Sequence, residues 1–346
     1  MLLVAVAACI ISYLGVGVIR QVALRHKVMD VPNERSSHAQ PTPRGGGLAI
    51  AVVVAVGFAV VSLQVGDLPG RVVAGFLGGA GLVAVIGLLD DLWRLSARLR
   101  LAAHFGVALL VVASVGWLEV INVPGPGEIN LAGWGLPVTV IWIVGLLNIY
   151  NFMDGIDGLA AVQAVIASLC WLAASTALGG ESLRALAGLI LGASLGFLAH
   201  NWPPARIFMG DVGSTLLGYV FAVLPILAWQ QTGKSDWAGF GVLCVAPFVF
   251  DGAFTLVRRA VNRENVLQAH RSHLYQRLIK RGYTHRQVSL LYAGLAMLSG
   301  GAAAIYLLGA GWPAALAVGL DLLLLVAYTR WVHVRERTPH KSSHLT

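Results

Sequence analysis

Long apolar runs succeed one another along almost the whole chain, at about 2–19, 45–63, 72–89, 101–118, 137–150, 158–178, 185–200, 212–230, 238–257, 288–308 and 312–329. A helix that crosses a bilayer needs about 20 predominantly apolar residues. The pattern therefore predicts an all-α integral membrane protein, a polytopic bundle of about 11 transmembrane helices, with 137–150 the shortest segment. Only 12% of the 346 residues are charged, against about 25% in soluble domains. No water-soluble fold of this size buries a chain that is 57% hydrophobic. A soluble enzyme, a disordered chain and a secreted disulfide scaffold are excluded. The three cysteines, Cys9, Cys170 and Cys244, all lie in apolar stretches and match neither a disulfide framework nor zinc spacing. Glycine is abundant, 41 residues, and small residues let membrane helices approach closely. No linker or low-complexity tract divides residues 1–346, so a single polytopic domain is expected.

Charge is distributed by loop. All but three of the 24 Lys and Arg residues, the exceptions being Arg71, Arg184 and Lys234, fall in 20–44, 90–100, 201–211, 258–287 and the tail from 330. Positive residues stay in the cytoplasm. These loops, with 151–157 between them, are thus expected on the cytoplasmic face, the N-terminus on the periplasmic side and the C-terminus inside. The net charge of +8 reads as membrane topology, so the bilayer is the expected partner and nucleic acid is not. On the opposite side, Asn122–Gly135 contains Pro124-Gly125-Pro126-Gly127 and predicts a small hairpin.

Five features on the cytoplasmic side carry chemistry. Thr42, Pro43 and Arg44 precede Gly45-Gly46-Gly47 at the entry to the second span. Such a turn either exposes N–H groups to a phosphate or serves as a flexible lead-in. Asp90-Asp91 ends the third span, with Arg94, Arg98 and Arg100 after it. Two adjacent carboxylates at a membrane edge are costly unless a cation relieves them, and that cation is either Mg²⁺ or the nearby arginines. Asn148, Asn151 and Asp154 recur every three residues and share a helix face, which Asp157 extends if the helix continues. That loop holds no Lys or Arg to pair its acids. In Phe208-Met209-Gly210-Asp211-Val212-Gly213-Ser214, Asp211 either caps the following helix or ligates a metal. His270-Arg271-Ser272-His273 lies in the most basic loop and suits a diphosphate or anionic lipid head groups. His104, Asp251 and Asp321 fall inside spans; His104 and Asp321 read as facing the bundle interior, and Asp251 as near enough to the inner surface to face the site. Hard-metal ligands and phosphate binders gathered at a bilayer edge imply phosphoryl chemistry on an anionic, partly lipidic substrate.

In this order the motifs resemble the polyprenyl-phosphate N-acetylhexosamine-1-phosphate transferase family, which includes MraY and WecA, from about Asp30 to Arg281. The resemblance implies a bacterial inner-membrane enzyme that transfers a sugar 1-phosphate from a UDP-N-acetylhexosamine to undecaprenyl phosphate and releases UMP. It implies Mg²⁺ as cofactor, with Mn²⁺ the alternative ion, and allows a homodimer. Carried over by position, Asp211 is a metal ligand, and Asp90, with Asp91 beside it as the second catalytic acid, takes the acceptor's proton. Asn148, Asn151, Asp154 and Asp157 serve nucleotide, sugar or metal, as do His270, Arg271 and His273 at the diphosphate or sugar. Thr42, Arg44, Gly45, Gly46, Arg98 and Arg100 serve phosphate or lipid. Three consecutive histidines of MraY-like members stand here as His270-Arg271-Ser272-His273, and their Lys before the Thr-Pro pair is replaced within His38-Ala39-Gln40. Both departures favour the branch that initiates O-antigen or other surface glycans of lipopolysaccharide, such as WbpL, using GlcNAc or a 6-deoxy relative such as FucNAc or QuiNAc.

The rival class is a polytopic transporter of an anionic substrate, which should hold its acids near the bilayer midplane and show two echoing halves. A CDP-alcohol phosphotransferase is excluded, because Leu159-Ala160-Ala161-Val162 follows Asp157-Gly158 where its signature requires otherwise.

Overall fold

The computed structural model describes residues 1–32, 40–177, 179–265, 271–309 and 311–337. Its helices are α1 (Leu2–Arg25), α2 (Gly47–Val65), α3 (Gly70–Trp93), α4 (Ala97–Ser114), α5 (Gly135–Met153), α6 (Leu159–Ala173), α7 (Glu181–Asn201), α8 (Asp211–Thr232), α9 (Asp236–Cys244), α10 (Ala246–Val261), α11 (Leu274–Lys280), α12 (His285–Leu308) and α13 (Trp312–Arg337). Two antiparallel ribbons complete it: β1 (Met29–Asp30) with β2 (Thr42–Pro43), and β3 (Val120–Val123) with β4 (Gly127–Asn130). The second ribbon is the hairpin expected around Pro124-Gly125-Pro126-Gly127.

Among the described residues nine helices are long and apolar enough to cross a membrane, or ten if the bent pair α9–α10 counts as one. That is fewer than the expected 11, and the difference lies in two segments. Helix α6 has 15 residues, about 22 Å, short of a hydrocarbon core of about 30 Å. A 3₁₀ turn, Ala174–Ala177, extends it. Segment 238–257 breaks into α9 and α10 with an 80° bend. Pro247 sits in the first turn of α10, just after the break, where its missing N–H weakens any continuation of α9. The segment at 137–150, the shortest in the sequence, belongs to a helix of 19 residues.

Helix α8 is the centre of the bundle. In its most apolar window 94% of residues are buried, against 22% for α1 at the periphery. Small residues decide which helices reach it. A Cβ on Gly47 would stand 2.6 Å from the Gly213 nitrogen, and one on Gly87 would stand 2.6 Å from the Val212 Cα. Backbone thus meets backbone where the start of α2 and the end of α3 cross the first turn of α8. The main chain of 43–47 is also laced to the segment before α8: Phe208 N donates to Pro43 O (2.8 Å), Gly46 N to Phe208 O (3.0 Å) and Gly47 N to Met209 O (2.9 Å). Those packings bring the polar ends of α2, α3, α4, α5 and α8 to one end of the bundle.

Candidate active site

Asp211 is the first residue of α8 and follows Gly210, whose φ of +76° suits glycine. The exposed N–H groups of a helix start need acceptors. Here the acceptor comes from another helix: Asp91, on α3, takes Asp211 N (2.8 Å) and Val212 N (3.3 Å). Asp91 therefore caps α8, the role the sequence offered to Asp211, and the Asp211 carboxylate turns sideways instead.

Two arginines meet it there. Arg44 Nη2 lies 2.5 Å from Asp91 Oδ1 and 2.9 Å from Asp211 Oδ1. Arg100 Nη1 lies 2.6 Å from Asp90 Oδ2 and 3.2 Å from Asp211 Oδ2. Asp90 also accepts Leu95 N at 2.6 Å, which folds the turn between α3 and α4 back onto its carboxylate. Burial pulls the Arg44 guanidinium down, but Asp91, Asp211, Asp30 and Asp90 outweigh it and hold it above its ordinary value.

The α5 row lies alongside. Asn148 Nδ2 stands 3.1 Å from His104 Nδ1 and donates to Val144 O, and Asn151 Nδ2 donates to Ser214 Oγ at 3.0 Å. Asp90, Arg100, His104, Asn148, Asn151 and Asp211 line one small cavity of about 10 Å³, with Thr215, Gly87 and Ile86. His104 was read from sequence as an interior-facing residue of a span; its place in this cavity has no local signal, because only the packing of α4 on α5 puts it there.

Helix α5 ends at Met153, so the row is interrupted. Asp154 sits at its C-terminus with ψ 50°. Burial first, and the negative charge of Asp211 next, hold its carboxyl well above the usual carboxylate range. Asp157 points elsewhere: its carboxylate accepts Ala205 N (3.0 Å) and stands 3.2 Å from His285 Nδ1. It joins the α5–α6 turn to the loop before α8 and to the start of α12.

The remaining candidates are placed as follows. Thr42 Oγ1 donates to Gln40 O, and Gly45 adopts φ +101°. The amides of Gly46 and Gly47 donate to Phe208 O and Met209 O, so these two glycines serve the close crossing of α2 and α8. Arg98 is exposed. His270 lies outside the described residues. Arg271 is half-buried within electrostatic reach of Tyr275. His273 is buried, with Nδ1 3.2 Å from Asp251 Oδ1.

Among the described residues no three His, Cys, Asp or Glu side chains converge as a preformed metal site. Yet Asp90 and Asp211 face one cavity beside the amides of Asn148 and Asn151 and the Thr215 hydroxyl. Mg²⁺ needs no more protein than this, since it binds through one or two carboxylates plus substrate phosphates and waters. The donor set fits such an ion, which Asp211 would hold.

The pattern of glycosyl transferase family 4 matches residues 73–228, the stretch that carries Asp90, Asp91, Asn148, Asn151, Asp154 and Asp211. A Bacillus subtilis (strain 168) protein named "Probable undecaprenyl-phosphate N-acetylglucosaminyl 1-phosphate transferase" is 34% identical over 292 residues, 83% of this chain and 80% of its own. The decaprenyl-phosphate N-acetylglucosaminephosphotransferase of Mycolicibacterium smegmatis is 32% identical over 360 residues, 94% of this chain and 87% of its own. The undecaprenyl-phosphate alpha-N-acetylglucosaminyl 1-phosphate transferase of Escherichia coli O157:H7 is 26% identical over 283 residues, 79% and 74%. The chain belongs to glycosyl transferase family 4 and is a multi-pass membrane protein of the MraY and WecA type.

Proposed function

We propose that this protein transfers N-acetylglucosamine 1-phosphate from UDP-N-acetylglucosamine to undecaprenyl phosphate, releasing UMP, at the cytoplasmic face of a bacterial inner membrane. One observation carries the reading. Asp211 stands at a helix start between two arginines and a second carboxylate, at one end of an apolar bundle. Acids at helix ends suit a substrate that lies in the bilayer and reacts at its surface. A transporter would hold them at the midplane.

In this reading Asp211 would hold Mg²⁺, which would neutralise charge on the diphosphate when bound. Arg44 and Arg100 offer guanidinium forks to phosphate oxygens. Asn148 and Asn151 orient the nucleotide sugar. An oxygen of the lipid phosphate bonds to the β-phosphorus of the donor. The bond from that phosphorus to the bridging oxygen breaks, and UMP leaves with the electron pair. Asp90 accepts the proton of the acceptor phosphate. The product lipid starts a surface glycan of the O-antigen type.

The test is UMP release by the purified protein in detergent, given undecaprenyl phosphate, Mg²⁺ and a panel of UDP-N-acetylhexosamines. Release that requires the lipid, the metal and Asp211 supports the proposal. Release with no sugar of the panel, from protein that unfolds cooperatively, would remove it. Preference for a 6-deoxy sugar would keep the reaction and change the donor.

A further inference from the structure

Tyr275 lies in the basic segment 258–287, yet it is fully buried and its hydroxyl reaches 123 residues back in the chain. That hydroxyl donates to Phe152 O at 2.8 Å. Phe152 is in the last turn of α5, where carbonyls have no partner within the helix. Its neighbour Asn151 O accepts Asp154 N at 3.2 Å. The two bonds close the end of α5 between Asn151, which lines the site cavity, and Asp154, which lies in electrostatic reach of Asp211 and Arg44. Glycine is required beside them: a Cβ on Gly155 would run into the Tyr275 hydroxyl, with Cζ 3.1 Å away.

Tyr275 is itself held from three helices. Asp251, buried on α10, accepts Tyr275 N (3.3 Å), Leu274 N (2.9 Å) and the Tyr292 hydroxyl (2.5 Å), and stands 3.2 Å from His273 Nδ1. Tyr328 on α13 donates to Tyr292 at 3.2 Å. One buried carboxylate thus docks the start of α11 against α10, α12 and α13.

We infer that Tyr275 is a positioning residue of this enzyme: anchored by Asp251, it fixes the last turn of α5 so that Asn151 stays in the cavity it shares with Asp211. The inference rests on the transferase reading above. It makes α11 the link between the basic segment and the acidic row, through the Tyr275 hydroxyl.

Tyr275→Phe removes the hydroxyl and keeps the ring and the N–H bond to Asp251. Two readouts on the full-length protein test it. Amide hydrogen exchange of peptides covering 148–156 should quicken about tenfold, as expected for one lost hydrogen bond of about 1.4 kcal/mol, with 274–280 unchanged. For UMP release kcat should fall about tenfold with the KM for undecaprenyl phosphate within about twofold, because misplaced groups cost rate rather than lipid binding. Gly155→Ala should fall further. Adding Tyr275→Phe to it should restore activity to the Tyr275→Phe level, since the clash is with the hydroxyl. A double variant no better than Gly155→Ala alone, or wild-type exchange in Tyr275→Phe, overturns the inference. Exchange reads it even from a wild-type protein that releases no UMP, an outcome that would count against the transferase reading instead.

Discussion

Arg44 and Asp211 are 167 residues apart in the chain, and their side chains meet at 2.9 Å. The same Arg44 nitrogen lies 2.5 Å from Asp91, the residue that caps the helix Asp211 begins. Arg100 repeats the arrangement on the other oxygen of Asp211, bridging it to Asp90. Three carboxylates at one end of the bundle thereby share two arginines.

Asp211→Asn keeps the shape of the site and leaves Arg44 on Asp91 and Arg100 on Asp90. UMP release should fall about 10²–10³-fold, the usual loss when one electrostatic stabiliser of the transition state is removed. The apparent Tm in detergent should move little. Turnover within about tenfold of wild type would show that Asp211 is not the metal ligand.

Arg100→Ala leaves Asp90 without a cation and Asp211 with Arg44 alone. Metal affinity and turnover should then move in opposite directions. Mn²⁺ titrated by paramagnetic resonance in the absence of nucleotide should bind about tenfold tighter, the equivalent of one charged hydrogen bond no longer competing. Transfer should drop at the same time. Weaker Mn²⁺ binding would mean that Arg100 supports the metal site and does not compete for it.

Asp90→Asn tests the proton-accepting role. If Asp90 takes the acceptor's proton, single-turnover transfer should slow about 10²–10⁴-fold, the range for a lost general base. Intact single-turnover transfer would remove that role.

Asp154 makes a pH prediction with a definite sign. Its carboxyl is held above the usual range by burial and by Asp211, whereas in the unfolded chain it ionises near pH 3.9. Above that pH the folded state keeps a proton that the unfolded state has lost, so stability falls as pH rises. Asp154→Asn abolishes this. Without divalent metal, the variant should melt higher than wild type at pH 8, and the gap should close toward pH 4. A gap that widens on acidification would reverse the sign and the explanation.

Gly47→Ala tests the helix crossing. The new methyl would meet backbone atoms of Gly213 and Met209, which have no rotamer to change. Overpacking of this kind costs about 1–3 kcal/mol. Thermal unfolding should shift down and activity should fall with it, because α8 would move and carry Asp211. Gly45→Ala has open space around its Cβ but a φ of +101°. It should therefore destabilise through strain, by about 1 kcal/mol, without displacing α8.

The apolar runs, the sided distribution of Lys and Arg, the β3–β4 hairpin and the acidic motifs could all be read from the chain alone. Each is a local quantity: transfer of a segment into lipid, a charge near a membrane edge or a turn composition depends on residues close in sequence. The division of labour among the polar residues is not local. The sequence offers the cap of α8 to Asp211, and only the crossing of α3 on α8 gives it to Asp91. Asp157 would extend the three-residue row only on a continuing helix, but α5 stops at Met153 and Asp157 turns to Ala205 and His285. His273 carried the look of a phosphate ligand, and the fold buries it against Asp251, while His104 and Tyr275, unremarkable in sequence, line or brace the site. Hydropathy and charge along the chain determined that this protein is a membrane bundle with polar chemistry gathered at one face. Which carboxylate caps, which is free, and which arginine stands between them was decided only where helices far apart in sequence pack backbone to backbone, because hydrogen bonds are assigned by distances of a few tenths of an ångström that no local pattern encodes.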